Sequence, residues 1–393
     1  MNQSVLWEHI RAGHAPTPRR VDDVVARSAL TLGRGGVEDA TTELGDAVLG
    51  AGPLEPLLLD EAVTDVLVNG TDGVWVDRGA GLEPVACDLG DAQAVRRLAV
   101  RLAGLARRRL DEASPFVDGL LPSGVRLHAM LPPLVDGAAH ISLRVPRRRI
   151  STLEHLQRSG SMPPDWMPVL DAIVRGRHSF VISGGTGSGK TTLLAALLAR
   201  VPSTERVLVV EDVRELDVRH PHAIRLQTRP ANVEGSGHVD MVALVRQSLR
   251  MRPDRVVIGE VRGAEVREML TALNTGHEGG CGTLHANSSA DVIARFEALG
   301  ALAGMSPGAT RSQLASAVSI VLHLRRGGGR RYVESIGLIE PEDGGLCVVP
   351  ALVQDRTPGG RDPQHGQAAP AIVARACEPG WTRLADLLDR GLS

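Results

Sequence analysis

One glycine-rich segment, residues 184–191, constrains the fold of this chain more than any other feature. Its sequence, GGTGSGKT, fits the spacing G-x-x-x-x-G-K-[ST], and it lies between a β-rich run, HSFVIS, and an apolar helical run, TTLLAALLARV. Glycines let consecutive backbone amides turn towards an anion, and the following helix points the positive end of its dipole at the same place. The segment therefore predicts a phosphate-binding loop between a strand and a helix.

The residue types of this loop predict ATP and Mg²⁺ as its ligands. Lys190 should reach the β- and γ-phosphates, and the hydroxyl of Thr191 should be a ligand of Mg²⁺. Lys190 is also the only lysine among 393 residues. The alternative, a glycine-rich turn that precedes a lysine by chance, does not explain the flanking strand and helix. The expected nucleotide-binding residues are Gly184, Gly185, Thr186, Gly187, Ser188, Gly189, Lys190, Thr191 and Thr192.

The regions around the loop differ in their pattern of apolar residues. After about residue 168, apolar runs alternate with helical patterns, which is typical of a parallel sheet covered by helices on both faces. Residues 52–146 contain short β-like runs and one amphipathic segment, and they predict a smaller α/β unit. The predicted organisation is an N-terminal extension at 1–45, a small α/β domain at 46–147, a linker at 148–167, an α/β domain that carries the loop at 168–350, and a partly disordered tail at 351–393.

Composition narrows the classes of protein that fit this chain. With 43 % apolar residues and a net charge of -2, the chain can form two compact cores but is not a strongly basic protein of the kind that coats nucleic acid. No run approaches the roughly 20 apolar residues of a membrane-spanning helix, and no signal peptide is evident, so we expect a cytoplasmic protein. The four cysteines are widely spaced and lack a C-x-x-C pair, so the sequence predicts neither a zinc site nor a disulfide framework.

Two acidic strand ends are candidates for the chemistry at this loop. The run RVVIGE ends in Glu260, the candidate for orienting and activating the attacking water. Gly259 stands where many proteins with such a loop carry an aspartate that binds Mg²⁺. The run VVE ends in Glu211, which should reach the same edge of the sheet, because ligands of parallel sheets lie beyond the carboxyl ends of the strands. The alternative for Glu211 is an ordinary exposed acid.

Two histidines, His277 and His285, flank the turn and short strand EGGCGTL. They are candidates for donors to the γ-phosphate or for groups that position water. The alternative is that one of them has only a structural hydrogen bond, and both interpretations fit the pattern. Metal ligation is not indicated, because no cysteine or third histidine has supporting spacing.

Four arginines lie in strand-like runs. Arg126 and Arg144 belong to neighbouring runs of the smaller domain, and Arg225 and Arg229 belong to the segment IRLQTRP. In a chain with this many arginines, the default interpretation of any one of them is a solvated surface side chain.

Taken together, these motifs resemble the ATPases of type II, type IV and tight-adherence (Flp pilus) secretion and conjugation systems, and most closely the tight-adherence branch. The resemblance spans about residues 52–338. The segments that carry it are GPLEPLLLDEAVTDVLVNG, LPSGVRLHAMLPP, ISLRV, GGTGSGKTT, VVEDVREL, IRLQTRP, LRMRPDRVVIGEVRGAE and LNTGHEGGCGTLHAN.

The resemblance implies a PAS-like α/β N-terminal domain joined to a RecA-like domain, in a ring of six subunits with nucleotide between the two domains. Lys190 and Thr191 correspond to the Walker A residues, Glu260 to the Walker B glutamate and Glu211 to the acidic-box carboxylate. His277 and His285 correspond to the histidine box. Arg126 and Arg144 correspond to the N-domain arginines that read the γ-phosphate. Arg225 or Arg229 is expected to act across the ring.

The implied function is that of a hexameric cytoplasmic ATPase, bound peripherally to the inner face of the membrane, which drives pilus assembly or protein secretion through an integral membrane platform protein. One alternative is a DNA-transfer motor, which needs a basic DNA-lining surface that the near-neutral charge does not obviously supply. Another is a nucleotide-gated scaffold without turnover, against which the presence of both Glu260 and Glu211 argues. The chain departs from the family in lacking the four-cysteine zinc module of many type II members and in having a short segment before Gly52.

Overall fold

The computed structural model of the protein describes residues 50–79, 81–145, 152–229, 231, 236–327, 330–357 and 371–391. The predicted extension at residues 1–45 lies outside the described residues. The chain divides into two units, Met1–Arg148 and Arg149–Ser393. Among the described helices, none combines the length and the apolar character needed to cross a membrane.

The first unit is an antiparallel sheet with an amphipathic helix. Its sheet has the strand order β3-β2-β1-β6-β5-β4. Its elements are α1 (Glu55–Leu59), β1 (Asp65–Asn69), β2 (Val74–Asp77), β3 (Leu82–Val85), α2 (Ala92–Leu105), β4 (Phe116–Leu120), β5 (Arg126–Met130) and β6 (His140–Arg144).

Helix α2 holds this sheet's core together. It begins at an N-cap, Asp91, whose side chain accepts a hydrogen bond from the Ala94 amide at 2.8 Å. Its apolar residues recur at helical spacing and are buried against the alternating inward residues of β1, β5 and β6. This repeat is what the sequence predicts for the segment.

The second unit contains a nine-stranded sheet of order β15-β14-β13-β12-β7-β11-β10-β8-β9. The last six strands in this order, β12, β7, β11, β10, β8 and β9, are parallel to one another, and β13, β14 and β15 each pair antiparallel with their neighbours. Its strands are β7 (Phe180–Gly184), β8 (Val207–Glu211), β9 (Ala223–Gln227), β10 (Arg255–Ile258), β11 (Cys281–Leu284), β12 (Ile320–Gly327), β13 (Arg330–Glu342), β14 (Gly345–Thr357) and β15 (Ala371–Ala376). Its helices are α3 (Leu153–Arg158), α4 (Trp166–Arg175), α5 (Lys190–Leu198), α6 (Met241–Ser248), α7 (Glu265–Leu273), α8 (Asp291–Leu302), α9 (Pro307–Ala317) and α10 (Gly380–Gly391).

Successive residues of the central strands are buried on opposite faces of this sheet. Ile182 and Val209 belong to one apolar core, while their neighbours Val181 and Val210 belong to another. Side chains alternate across a strand, so a strand that is apolar at every position needs a cover on both sides. Helices α3, α4, α5 and α10 supply buried residues to the first core, and α6 to α9 supply them to the second.

The prediction of a linker at 148–167 is wrong from residue 153 onwards. Helix α3 and the segment after it bury Leu153, Met162 and Trp166 in the core of the second unit. Proline, serine and glycine in this segment end short helices that are part of the domain. Residues 148–151 lie outside the described residues.

The prediction of a separate tail from residue 351 is also wrong for the described residues. Strand β14 continues to Thr357, and α10 buries Leu384 and Leu388 against the same core as the strand β7. The run of apolar residues at helical spacing in α10 is short, and it follows a Pro/Gly/Gln-rich stretch whose composition predicts disorder. Most of that stretch, residues 358–370, lies outside the described residues.

We expect Leu384→Ala to lower the free energy of unfolding by about 2–5 kcal/mol, because it leaves a cavity in the core beneath the sheet. The matched control is Leu302→Ala, since Leu302 is 69 % exposed at the end of α8 and should change stability little. Urea unfolding followed by circular dichroism measures both variants. Equal stability of the two variants would show that α10 does not belong to this core.

Candidate active site

The parallel strands bring the ends that carry the predicted residues to one edge of the sheet. The glycine-rich loop follows β7, Glu211 ends β8, Glu260 follows β10 and His285 follows β11. The carboxyl ends of parallel strands share an edge, which is where such sheets bind ligands.

The loop packs so tightly against β12 that its first residue has to be glycine. Gly184 has a φ of 152°, and a Cβ atom there would lie 2.4 Å from the carbonyl oxygen of Leu324. At the other end of the loop, Gly189 is the N-cap of α5 with a φ of 98°, and no side chain caps the helix. The first turn of α5 therefore keeps amides for an anion in the loop.

Lys190 is a buried cation at the end of the loop. Its side chain is 7 % exposed, and Nζ donates hydrogen bonds to the carbonyl oxygens of Gly184 and Gly185, each at 3.0 Å. Nζ also lies 3.4 Å from the ring nitrogens of His285. Among the described residues, no carboxylate forms an ion pair with Lys190. A buried charge of this kind is costly unless an anion joins it.

Glu260 lies between a histidine and an arginine. Its Oε2 accepts a hydrogen bond from Nη2 of Arg262 at 2.5 Å, and its Oε1 lies 2.8 Å from Nε2 of His285. The second pair is at ion-pair distance, but Oε1 accepts no hydrogen bond from the described residues. Oε1 is also buried. One oxygen of Glu260 is thus held and the other is left for a further partner.

The local charges set the protonation states of these groups. Burial alone would raise the pKa of Glu260, but the hydrogen bond and charge of Arg262, together with His285 and Lys190, outweigh it and lower that pKa. Burial is the main cause that lowers the pKa of Lys190, and Glu260 opposes it. Burial, followed by the charge of Lys190, lowers the pKa of His285. At neutral pH the site holds an ionised Glu260 and an uncharged His285.

Glu211 is buried rather than being an ordinary exposed strand-end acid. It is 3 % exposed, and its Oε1 accepts hydrogen bonds from the amides of Glu215 and Leu216 at 2.8 and 2.9 Å. Its Oε2 accepts one from Nη2 of Arg225 at 3.3 Å. A Cβ atom on Gly259 would lie 2.6 Å from Cγ of Glu211. Glu211 therefore fills the space beside β10 that an aspartate at position 259 would need.

Arg229 lies just beyond β9 and is occupied in its own loop. Its backbone pairs with Val239, and its Nε donates a hydrogen bond to the carbonyl oxygen of Gly237 at 2.6 Å. Arg225 is thus the one of the two predicted ring arginines that contacts a predicted carboxylate.

In the first unit, Arg126 and Arg144 lie directly opposite each other on β5 and β6. Asp65 of β1 lies opposite Arg144 on its other side and accepts a hydrogen bond from Arg144 Nε at 3.0 Å. Like charges directly opposite across a sheet are destabilising, so a pair of arginines at this place needs a compensating anion or acid.

His277 is not brought together with the other predicted residues of its own chain. It precedes β11, where its Nδ1 lies 3.2 Å from the carbonyl oxygen of Ala272 at the end of α7. His285 follows the other end of β11, and a strand of this length separates the two positions by about 13 Å. The expectation that both histidines approach one γ-phosphate is therefore not met within one chain. The structural hydrogen bond is the interpretation that fits His277.

Two residues of the site were not predicted. Arg262 holds Glu260, and Thr283 of β11 donates a hydrogen bond from its hydroxyl to the carbonyl oxygen of Gly259 at 2.7 Å, which fixes the start of the Glu260 segment. Arg262 is two residues after Glu260, the spacing at which extended residues share a side. That spacing was a usable signal, whereas the contact of Thr283 depends on the pairing of β10 with β11.

The residues present fit a triphosphate with a divalent cation. Ser188 Oγ and Glu260 Oε1 are buried and form no hydrogen bond with the described residues, and both are at the edge that carries the ammonium of Lys190. Thr191 and Thr192 are half-buried in the first turn of α5. Hydroxyl and carboxylate oxygens are the ligands that Mg²⁺ prefers.

The chain is similar to proteins of known families over most of its length. A family model described as type II/IV secretion system protein matches residues 48–329. A putative conjugal transfer protein of Mycobacterium tuberculosis is 51 % identical over 314 residues, which cover 78 % of this chain and 89 % of that protein. The conjugal transfer protein TrbB of Rhizobium radiobacter is 32 % identical over 286 residues, which cover 72 % of this chain and 85 % of that protein.

A solved structure shares the fold. The crystal structure of the pilus retraction motor PilT and bound ADP aligns with a TM-score of 0.53 and 19 % sequence identity, covering 86 % of this chain and 85 % of that chain. At this identity the likeness concerns the fold alone. The predicted fold class, a RecA-like α/β domain preceded by a smaller α/β domain, is confirmed.

We expect Gly259→Ala to destabilise the protein by about 1–3 kcal/mol, because the added methyl group overlaps Glu211 in a packed site. The matched control is Gly308→Ala in α9, where a Cβ atom meets nothing within 4 Å. There the helix should gain up to about 1 kcal/mol. Thermal and urea unfolding of both variants give the comparison, and a Gly259 variant as stable as the control would remove the steric argument.

The site also predicts a pH dependence of stability. His285 has a lower pKa in the folded protein than its ordinary 6.5, so below that pH the unfolded chain binds more protons than the folded one. The free energy of unfolding should therefore fall as the pH drops below 6.5, and less so in His285→Asn. Burial lowers the pKa of His178 and His323 too, so the variant keeps part of the slope.

The control for this measurement is His155→Asn, an exposed histidine on α3. Urea unfolding at several pH values between 5 and 8 gives the slopes. If the wild type and His285→Asn have the same slope, the ring of His285 is not held uncharged by its surroundings.

Proposed function

Because the chain belongs to the type II/IV secretion system protein family and is an ATP hydrolase of that family, we propose that it works as a hexameric motor. In this proposal, hydrolysis at the loop of residues 184–191 drives pilus assembly or protein secretion through an integral membrane platform protein. The protein would act in the cytoplasm, bound peripherally to the inner face of the membrane. Membership of the tight-adherence branch is part of the proposal.

The observation that carries the nucleotide site is the buried ammonium of Lys190. Within the part of the chain that the structure describes, it is hydrogen-bonded to loop carbonyls and an uncharged imidazole, and it lies at the N-terminus of α5, where backbone amides also attract an anion. The β- and γ-phosphates of ATP supply the negative charge that this place lacks. Charge-assisted hydrogen bonds to phosphate are stronger than those to neutral carbonyls, so Lys190 should exchange partners when ATP binds.

Glu260 is the residue best placed to take a proton from the attacking water. It is ionised at neutral pH, and its Oε1 forms no hydrogen bond with the described residues while Oε2 is fixed by Arg262. A base held in this way is oriented by one oxygen and reactive at the other. His285, whose ring is uncharged, can donate a hydrogen bond to the γ-phosphate without adding a charge.

The hydroxyl of Thr191 would hold Mg²⁺, and the carboxylates of Glu260 and the buried Glu211 lie at the same edge of the sheet. When bound, this ion neutralises phosphate charge and supports departure of the leaving phosphate. Glu211 keeps its carboxylate oriented through two backbone amides and Arg225, so it needs no rearrangement to face that charge.

The arginines of the first unit enter the proposal as the groups that read the γ-phosphate, which is the role that the resemblance implies for Arg126 and Arg144. The two residues lie opposite each other on β5 and β6, and Arg144 also donates a hydrogen bond to Asp65. Loss of the γ-phosphate after hydrolysis would remove charge-assisted hydrogen bonds and so couple turnover to movement. Arg225 or Arg229 is the candidate to act across the ring.

A second candidate function is that of a DNA-transfer motor. The observation that favours it is the similarity to two relatives, a putative conjugal transfer protein that is 51 % identical and the conjugal transfer protein TrbB, which is 32 % identical. The net charge of -2 does not favour an extended DNA-binding surface. An ATP hydrolysis assay with added duplex or single-stranded DNA distinguishes this function from the pilus or secretion motor. A several-fold increase in the hydrolysis rate that disappears at high salt would support the DNA motor.

We expect Glu260→Gln to bind ATP but to hydrolyse it at least about 100-fold more slowly, because the general base is lost. Lys190→Ala should lose nucleotide binding. The matched control is Glu297→Gln on α8, whose carboxylate pairs with Arg311. Phosphate release measures turnover, nucleotide titration measures binding, and light scattering with and without nucleotide measures the mass of the assembly.

A wild type that hydrolyses ATP as a hexamer supports the motor. A Glu260→Gln variant as active as the control would show that another group is the base. A wild type that binds ATP without turnover in every salt and lipid condition would make the chain a nucleotide-gated scaffold.

A further inference from the structure

The hairpin of β12 and β13 borders the phosphate-binding loop on the side away from Glu260. Strand β12 pairs in parallel with β7, with Leu324 opposite Gly184, so the residues after Leu324 continue beyond the start of the loop. Strands β11 and β10, which carry His285 and Glu260, lie on the other side of β7. The loop is therefore flanked by the hydrolytic groups on one side and by this hairpin on the other.

Two arginines of the hairpin approach the loop. A Cβ atom on Gly187 would lie 3.6 Å from Nη1 of Arg326, and a Cβ atom on Gly189 would lie 3.6 Å from Cδ of Arg331. Both arginine side chains are exposed. They thus form a cationic border along the outer wall of the loop.

The charge of Arg326 is not balanced in the way that the charge of its neighbour Arg325 is. Arg325 forms an ion pair with Glu334 at 2.7 Å. Arg326 has no hydrogen bond or ion pair with any described residue. Arg326 and Arg331 also lie directly opposite each other across the hairpin, an arrangement that is destabilising for like charges. An anion between the hairpin and the loop would give Arg326 a counter-charge.

The order of the strands indicates which part of a nucleotide meets this border. If the γ-phosphate faces Glu260, on the β10 and β11 side of the loop, the chain of phosphates leads back across the loop towards β12. The α-phosphate and the nucleoside then lie next to the hairpin. A guanidinium group suits this end of the ligand, because it forms charge-assisted hydrogen bonds with phosphate and stacks on aromatic rings.

We propose that Arg326 and Arg331 form a second wall of the nucleotide site, which binds the α-phosphate and the nucleoside of ATP. This inference rests on the proposed function of the loop. In this inference, the hairpin contributes to nucleotide binding, and the groups that follow β10 and β11 carry out hydrolysis. The hairpin arginines therefore bind ATP and ADP alike. They are binding residues and take no part in the proton transfer at Glu260.

The test compares ADP, ATP and Mg²⁺-pyrophosphate as ligands of the full-length protein by calorimetry. Pyrophosphate is short enough to be held by Lys190 and the loop amides alone. We expect Arg326→Ala to weaken ADP and ATP binding about tenfold, the scale of one lost charge-assisted hydrogen bond, and to leave pyrophosphate binding unchanged. Arg331→Ala should behave in the same direction, and kcat at saturating ATP should stay within about twofold of the wild type.

The matched control is Arg325→Ala, which removes the same side chain one residue away on the other face of the hairpin. It should bind all three ligands as the wild type does. Arg326→Lys, which keeps the charge, should recover part of the affinity. Because both arginines are exposed, unchanged thermal unfolding of the variants shows that any lost affinity is not a folding defect.

Three outcomes overturn the inference: wild-type affinity for ADP and ATP in both alanine variants, an equal loss of pyrophosphate affinity, or an equal loss in the Arg325→Ala control. These differ from failure of the proposed function, in which the wild type binds none of the three ligands and Lys190→Ala changes nothing. That result would overturn both proposals together.

Discussion

The pairing of β7 with a parallel strand on each side is the constraint on which the rest of the second unit depends. It places Ser183 opposite Leu284 of β11 and His323 of β12, so β11 ends level with the start of the glycine-rich loop and β12 continues past it. The loop can then close only because Gly184 has no side chain to meet β12. Every group of the candidate site, from Glu260 to Arg326, takes its position from this register.

Much of the fold follows from the sequence, because its signals are local. Strands β7, β8 and β10 consist mainly of apolar residues on both faces, and that pattern predicts a sheet covered on both faces. The boundaries failed where a short element depends on distant partners. Helices α3 and α10 bury only a few residues each, and nothing in their own segments indicates that Leu153 or Leu384 completes a core built by residues far away in the chain.

The site was predictable to the extent that motifs mark strand ends. Lys190, Glu211, Glu260 and His285 reach one edge because the strands before them are parallel. The residues that contact these groups are harder to predict. Arg262 and the hairpin arginines belong to a residue type that is abundant in this chain and is usually a solvated surface side chain. His277 lies at the other end of β11 from His285, near the carbonyl oxygen of Ala272, so its role in the site stays a prediction.

A buried ammonium that is the only lysine side chain in the protein has a consequence for covalent chemistry. Any reagent or enzyme that modifies lysine amines has one side-chain target here, and that target is the bottom of the phosphate-binding loop. The surface carries its positive charge on guanidinium groups, which such reagents leave alone. Acylation of Lys190 would thus act as an all-or-none block of one site, and a bound phosphate would protect it, so the extent of labelling reads out occupancy directly.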